Sequence, residues 1–471
     1  MGETVSTTGP ISTALIAAVA LSPLALPLST ISAQSLPART DSVMRSFVAS
    51  DAPGCAVAID SASIAIHRGA YGLAELEYRV PISNSTIFEA GSVSKQFVAA
   101  AVLLLEKRGV LSLDDTLQKW FPEIPVYEQP ITIRHLMLHT SGLRDWGSVR
   151  GLAGWPRWTA SYTHGDALAI IARQHGLNHL PGEAYSYTNT GYNLMAMLVE
   201  RATRQRFTTF TQREFFEPLG MSSTSWRDDY RRIVPNRAQA YSRSAGQWRL
   251  DMPFEHVYGN GGLLTTVDDL IKWNRALTEG RVGSPDVSAV MQQSGLFNDG
   301  REVGYGCGLQ IGTTRGVRSI SHGGSTAGYR AALARFPDQS ISIAILCNRG
   351  DANPVAMVET ILEGTLPFGP APNRQPATLA TPAPISFDAT DFVGTWYSEE
   401  VDGTLTFNIQ QGRLMVERRP GDTAPLTIAA VDRFVGPGTL ELVFGRDETG
   451  AVNSLTASVS RANGIIYRRR R

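Results

Sequence analysis

Cysteine is scarce in this chain: Cys55, Cys307 and Cys347 are the only three among 471 residues, odd in number and far apart. They make neither a disulfide framework nor a zinc ligand set. Cys347 ends the run Ile343-Ala344-Ile345-Leu346 and reads as a small buried hydrophobe; one disulfide is left open. Excess charge of one sign is missing as well, with 43 Lys and Arg against 43 Asp and Glu. No basic face is implied, which argues against a nucleic-acid partner. The final Arg468-Arg469-Arg470-Arg471 reads as a solvated tail behind the strand-like Gly464 to Tyr467. Gly259-Asn260-Gly261-Gly262 lacks the lysine and serine of a phosphate loop and is expected to be a tight turn beside a cleft. His135 and His139 stand four apart, but no glutamate follows His135 and no third ligand joins them. They read as core or loop-bracing groups, and the sequence calls for no metal and no cofactor.

Long apolar runs are equally few. Ile11 to Leu28 is almost wholly apolar or small, and Ile31-Ser32-Ala33 suits a cleavage point, so residues 1–33 resemble an export signal. Glu3 and the lack of Lys or Arg run against this reading, and an uncleaved anchor is the alternative. Pro23, Pro27 and the short length oppose a stable spanning helix. The expected location is exported, periplasmic or secreted.

What is present is an α/β pattern. Cys55 to Asp60 and Ser63 to Ile66 read as strands, and a helix is expected to start near Ser92. Thr132 starts a short helix ending in a His139-Thr140-Ser141-Gly142 loop, and Thr266 caps another with Asp269 three residues on. Gly308 to Gly312, Tyr329 to Phe336 and Ile341 to Cys347 read as strands, followed by a helix over Pro354 to Glu363. Early strands, a helical middle and late strands predict an α/β (α+β) domain over 40–365 whose sheet joins both ends. Residues 366–385 are a proline-rich linker. Residues 386–471 alternate strand-like runs with turn residues, predicting a small antiparallel barrel. Trp146, Trp155, Trp158 and Tyr162 crowd one segment and read equally as substrate wall or as core.

Ser92 and Lys95 carry the first chemical signal. On a helix they share a face, so the amine approaches the hydroxyl. A lysine sunk in the apolar run Phe97 to Leu105 is costly unless used. Serine becomes a nucleophile only when a base within hydrogen-bond reach takes its proton. Taken alone, the pair reads more readily as a helix cap and a snorkelling lysine. Tyr187-Thr188-Asn189 in a turn region and His322-Gly323-Gly324-Ser325 before a strand change the balance.

The ordered set Ser92-x-x-Lys95, Tyr187-x-Asn189 and His322-x-Gly324 resembles the beta-lactamase-related serine hydrolases, which include class C beta-lactamases, D-alanyl-D-alanine carboxypeptidases, D-aminopeptidases and esterases. Phe88 to Ser92, Leu136 to Leu143 and Gly259 to Leu264 are similar to family stretches, so the likeness runs from about Val43 to Glu363. The resemblance implies Ser92 as nucleophile, Lys95 and Tyr187 as the base pair, and Asn189, Gly323 and Gly324 against the substrate. It implies an oxyanion hole from the backbone N–H groups of Ser92 and Ser325, and places His322 where many relatives carry lysine. Which of Lys95 and Tyr187 is the base stays open. A mostly neutral histidine attracts a substrate carboxylate less than lysine does, which favours D-peptide or ester hydrolysis over beta-lactam hydrolysis. Phe392 to Tyr397 with Glu399 looks like the opening of the lipocalin-like barrel appended to some D-aminopeptidase-like hydrolases. The expected partner is a small peptide, amide or ester; the reading from another class is a catalytically silent binding protein on the same fold.

Overall fold

The structure is a computed structural model that describes residues 1, 2, 9, 35–371 and 387–470. The export-signal reading of 1–33 and most of the proline-rich linker lie outside the described residues. No helix among those described is long and apolar enough to cross a membrane.

Six antiparallel strands form the central sheet, in the spatial order Gln310–Thr314, Val317–Thr326, Tyr329–Phe336, Ile341–Cys347, Cys55–Ser61, Ile64–Tyr71. Strands from the two ends of the domain thus meet at the Cys55–Ser61 and Ile341–Cys347 pair, as the order of elements predicts. Those two strands are buried along nearly their whole length, because both faces of the sheet are covered. On one face Met44 and Val48, from Leu36–Phe47 and its end, join Met357, Val358 and Ile361 of Pro354–Leu362 over Val57, Ile59, Ile343 and Ile345. On the other lies the helical half, centred on Lys95–Lys107, whose first eleven residues are all buried. Burying such a face supplies roughly 2 kcal/mol per large apolar side chain.

Three expectations need correction. Cys55 stands directly opposite Cys347 in the strand register, and the two form a disulfide. Cys347 is therefore buried but not free; Cys307 is the unpaired, buried thiol. Residues Gly91–Ser94 form a 3₁₀ turn, and the α-helix begins only at Lys95. Ser94, the residue placed to cap it, turns its hydroxyl back to the Gly91 carbonyl at 2.5 Å and offers no cap. The first two of the terminal arginines are not a tail: Ala462–Arg469 is a strand, with Arg468 and Arg469 paired to Tyr397 and Trp396.

The C-terminal unit is a nine-stranded antiparallel sheet whose edge strands, Thr423–Pro425 and Thr427–Ala430, are neighbours in sequence. The sheet curls almost to closure as an all-β barrel. Alternation sends Leu405 and Phe407, and likewise Ile465 and Tyr467, into a core shared with Trp396, Phe434 and Phe444. The barrel meets the α/β domain through buried polar contacts. Arg144 bonds Glu400 at 2.7 Å and the Asn463 carbonyl at 2.8 Å, and Arg419 lies over Trp155 at 4.2 Å.

Candidate active site

Two glycines let the Ser92 turn press against the sheet. Gly91 sits at φ +52°, and a Cβ there would stand 2.6 Å from the Ser325 nitrogen; one at Gly324 would stand 2.0 Å from the Ala90 carbonyl oxygen. Only bare backbone permits this approach. It brings the Gly91-Ser92 segment and the Gly324-Ser325 segment side by side, the arrangement that an oxyanion site built from Ser92 and Ser325 N–H groups requires. Ser94 Oγ accepts from Leu263 N at 3.1 Å and holds the turn from behind.

Lys95 is fully buried beneath Ser92. Its Nζ donates to Ser92 Oγ at 3.2 Å, to Asn189 Oδ1 at 3.1 Å and to the Asn260 carbonyl at 2.8 Å. The Tyr187 ring lies 4.8 Å from the same nitrogen. Among the described residues no carboxylate bonds to it. Burial, with Arg461 and Arg157 nearby, holds its pKa well below the ordinary lysine value, and Asp145 offsets this in part. Burial moves Tyr187 the other way, well above the ordinary phenol value, with Ser92 pulling slightly downward.

The supports are local. Asn189 opens the helix Asn189–Thr203 and donates its backbone N–H to Asp145 Oδ2 at 2.8 Å. Gly259 and Gly262 have positive φ, so the predicted tight turn does lie at the cleft and presents the Asn260 carbonyl to Lys95. Asn260 is fixed by Asn193 Nδ2 at 2.7 Å, and Asn193 Oδ1 in turn accepts from Trp146 Nε1 at 2.9 Å. His139, at φ +59°, is buried 4.3 Å from the Tyr187 ring and accepts from Thr188 N at 3.3 Å. His135 closes a capping box with Thr132.

His322 is buried. Its Nδ1 lies 2.6 Å from the Gly323 carbonyl, which only accepts, so Nδ1 carries the proton; Nε2 then accepts from the Tyr305 hydroxyl at 3.0 Å. Burial and Lys95 hold its pKa down at about 4. It is a neutral imidazole with both nitrogens occupied inside the protein.

Ser92, Tyr187, Asn189, His322, Gly323, Gly324 and Ser325 all line one cleft of about 680 Å³, with Lys95 below. The structure brings together the serine, lysine, tyrosine, asparagine, histidine and glycines of the three sequence motifs. It also shows four that sequence reasoning missed: Asp145, Asn260, Tyr305 and Arg461. The tryptophan cluster divides, Trp146 being core and Trp158 exposed on a neighbouring groove.

An antiparallel sheet backed by helices thus carries a serine turn packed against it, with a buried lysine directly beneath the serine. The family model described as Beta-lactamase matches residues 40–364, and the chain belongs to that family. It is 29% identical over 327 residues to penicillin-binding protein 4* of Bacillus subtilis (strain 168), covering 63% of this chain and 68% of that protein. It is 26% identical over 444 residues to a D-aminopeptidase of Gluconobacter oxydans (strain 621H), covering 88% of this chain and 83% of that protein. In fold it is similar to the octameric penicillin-binding protein homologue from Pyrococcus abyssi, with a TM-score of 0.61, 22% identity, and coverage of 92% of this chain and 98% of the other. The chain is thus a hydrolase, of a family whose members act on small amide or ester substrates related to D-amino-peptide metabolism.

Proposed function

We propose that this chain cleaves amide or ester bonds of small D-amino-acid-containing substrates through an acyl-enzyme on Ser92. The observation that carries this reading is the triple coordination of Lys95 Nζ by Ser92 Oγ, Asn189 Oδ1 and the Asn260 carbonyl. Burial lowers the Lys95 pKa and so favours its neutral form; in that form two hydrogens serve Asn189 Oδ1 and the Asn260 carbonyl, and the lone pair faces Ser92 Oγ and accepts its proton as Oγ attacks the substrate carbonyl. Tyr187, kept protonated by its raised pKa, hands a proton to the leaving nitrogen or oxygen and is resupplied by Lys95. Water then attacks the acyl carbon, the Ser92–acyl bond breaks, and the serine regains its proton. Ser92 and Ser325 N–H groups receive the oxyanion; losing one such donor costs about 3 kcal/mol.

The D-aminopeptidase likeness supports D-configured substrates. Esterase action is the second reading and beta-lactam hydrolysis the third, since His322 offers no cation. The Cys55–Cys347 disulfide supports an oxidising, exported location, and the barrel supports the lipocalin-like assignment of 386–471 by its near-closed antiparallel order. A groove of about 870 Å³ lined by Trp158, Leu250, Met252 and Phe254 continues from the cleft past Ser325 and suits an apolar side chain. The test is mass spectrometry after incubation with a fluorophosphonate, a penicillin and D-alanyl esters. The expected result is an adduct on Ser92 that Ser92→Ala abolishes; folded protein that gives no adduct with any of them refutes the assignment.

A further inference from the structure

The barrel reaches the cleft through one tight turn, Ser460-Arg461, between the strands Val452–Val459 and Ala462–Arg469. The turn is clamped by its backbone. The Arg461 carbonyl accepts from Asp145 N at 3.0 Å and from Asn178 Nδ2 at 3.1 Å. Asn463 N donates to Asn178 Oδ1 at 2.9 Å, and Arg144 Nη2 donates to the Gly464 carbonyl at 3.0 Å. Asp145, which grips Arg461, also holds the Asn189 amide, so turn and candidate site share one fixed point.

The Arg461 side chain is not used by this clamp. Its guanidinium lies 4.8 Å from the Tyr187 ring centroid, half-buried on the wall of the cleft. Among the described residues it makes no salt bridge and no side-chain hydrogen bond. The other charges of the wall are committed. Glu89 is paired to Arg227 and Arg237, and Glu255 to Arg157 and Arg227. Arg330 is turned onto the carbonyls of Ala327 and Tyr329. The wall therefore holds two glutamates against four arginines and has no free carboxylate to receive a substrate amine. An arginine fork with open donors over an aromatic face is the arrangement that recognises a carboxylate in two-point fashion.

We propose that Arg461 is the specificity residue of this cleft and binds a carboxylate carried by the leaving group. This rests on the Ser92 reading above, in which Tyr187 protonates the leaving group; Arg461 lies over that same ring. The substrate class is then an acyl compound whose leaving group is a free amino acid, released from its C-terminus, and not a peptide recognised by its free amine. On cleavage the Ser92–acyl bond forms, the acyl C–N bond breaks, and the amino acid departs with the relayed proton.

The experiment compares an N-acetylated D-dipeptide bearing a free carboxylate with its C-terminal carboxamide, on wild type and on Arg461→Gln, Arg461→Lys and Arg461→Glu. Fluorophosphonate labelling of Ser92 is recorded for each. The expected result is a wild-type preference in kcat/KM of about tenfold or more for the free acid, the worth of one charge-assisted pair. Arg461→Gln removes the preference mainly through KM, Arg461→Lys keeps part of it, and Arg461→Glu reverses it. Equal turnover of acid and amide by wild type, an unchanged ratio in Arg461→Gln, or turnover of neither by protein that still labels on Ser92 overturns the proposal. Loss of labelling in wild type sinks the Ser92 reading instead.

Discussion

Replacing Gly324 by alanine isolates the contact on which the site depends. The new methyl would stand 2.0 Å from the Ala90 carbonyl oxygen and 3.1 Å from Ala331 Cβ. Ordinary contact starts near 3.4 Å, so strand and nucleophile turn must part by more than about 1 Å, since neither neighbour is a flexible side-chain tip. The parting segments are those carrying the Ser92 and Ser325 N–H groups. A misplacement of that size costs roughly 100-fold in rate, or about 2.7 kcal/mol of barrier. Overpacking adds about 1–3 kcal/mol of lost stability. Gly323→Ala is the internal control, because its methyl meets Val355 Cγ2 at 3.2 Å, the end of a side chain that can yield, and the Ala331 carbonyl oxygen at an ordinary 3.8 Å. Steady-state kinetics on a D-alanyl ester, with circular dichroism melting on the same samples, should show Gly324→Ala folded but down roughly 100-fold in kcat, and Gly323→Ala far less affected. Wild-type turnover by folded Gly324→Ala would refute the idea that this backbone approach assembles the site.

The neutral His322 makes the fold acid-sensitive. Its folded pKa of about 4 lies below the ordinary 6.5, so the unfolded chain binds the proton first; stability starts to fall below pH 6.5, and the loss is complete below about pH 4. The full loss is about 3 kcal/mol, and urea unfolding at pH 7 and pH 4 should show His322→Gln losing that much less than wild type; equal losses would contradict the assignment. The Cys55–Cys347 disulfide closes a span of 292 residues, which the chain-entropy account values at about 6 kcal/mol. Urea midpoints with and without reductant should differ accordingly, and identical midpoints would count against the bond.

The candidate site residues were legible because the proposed chemistry restricts their kind and order: Ser92 with Lys95, Tyr187 with Asn189, and His322 with Gly324. The sheet was legible because Ile341–Cys347 is continuously apolar and so demands cover on both faces. What stayed hidden depends on which distant segments meet. Cys55 and Cys347 pair only because the strand register sets them opposite one another. Ser92 reads as the start of an α-helix, yet the left-handed Gly91 and the inward-turned Ser94 hydroxyl tighten that turn to 3₁₀. Asn260 uses its carbonyl, which every residue has, so its side chain gives no sign of it. Arg461 sits in a two-residue turn of a barrel that carries no other member of the site. The reading of His322 as a weakened carboxylate site weighed that residue alone and left out an arginine carried to the cleft by another domain.

That relocation has a physical logic. A lysine at position 322 would be a second buried amine beside Lys95, in a pocket already closed by Tyr305 and the Gly323 carbonyl. Like charges at the two positions would repel one another and couple the two titrations. Lys95 must exchange a proton, whereas an anion-binding lysine must remain charged. An arginine does not face that choice, because its guanidinium stays protonated whatever surrounds it. At the barrel turn, half in solvent and 4.8 Å from the Tyr187 ring centroid as Lys95 also is, it offers a lasting charge to the substrate and helps to push the Lys95 pKa down. The barrel's hold on Asp145 and Asn178 supplies the fixed geometry that a free loop would lack.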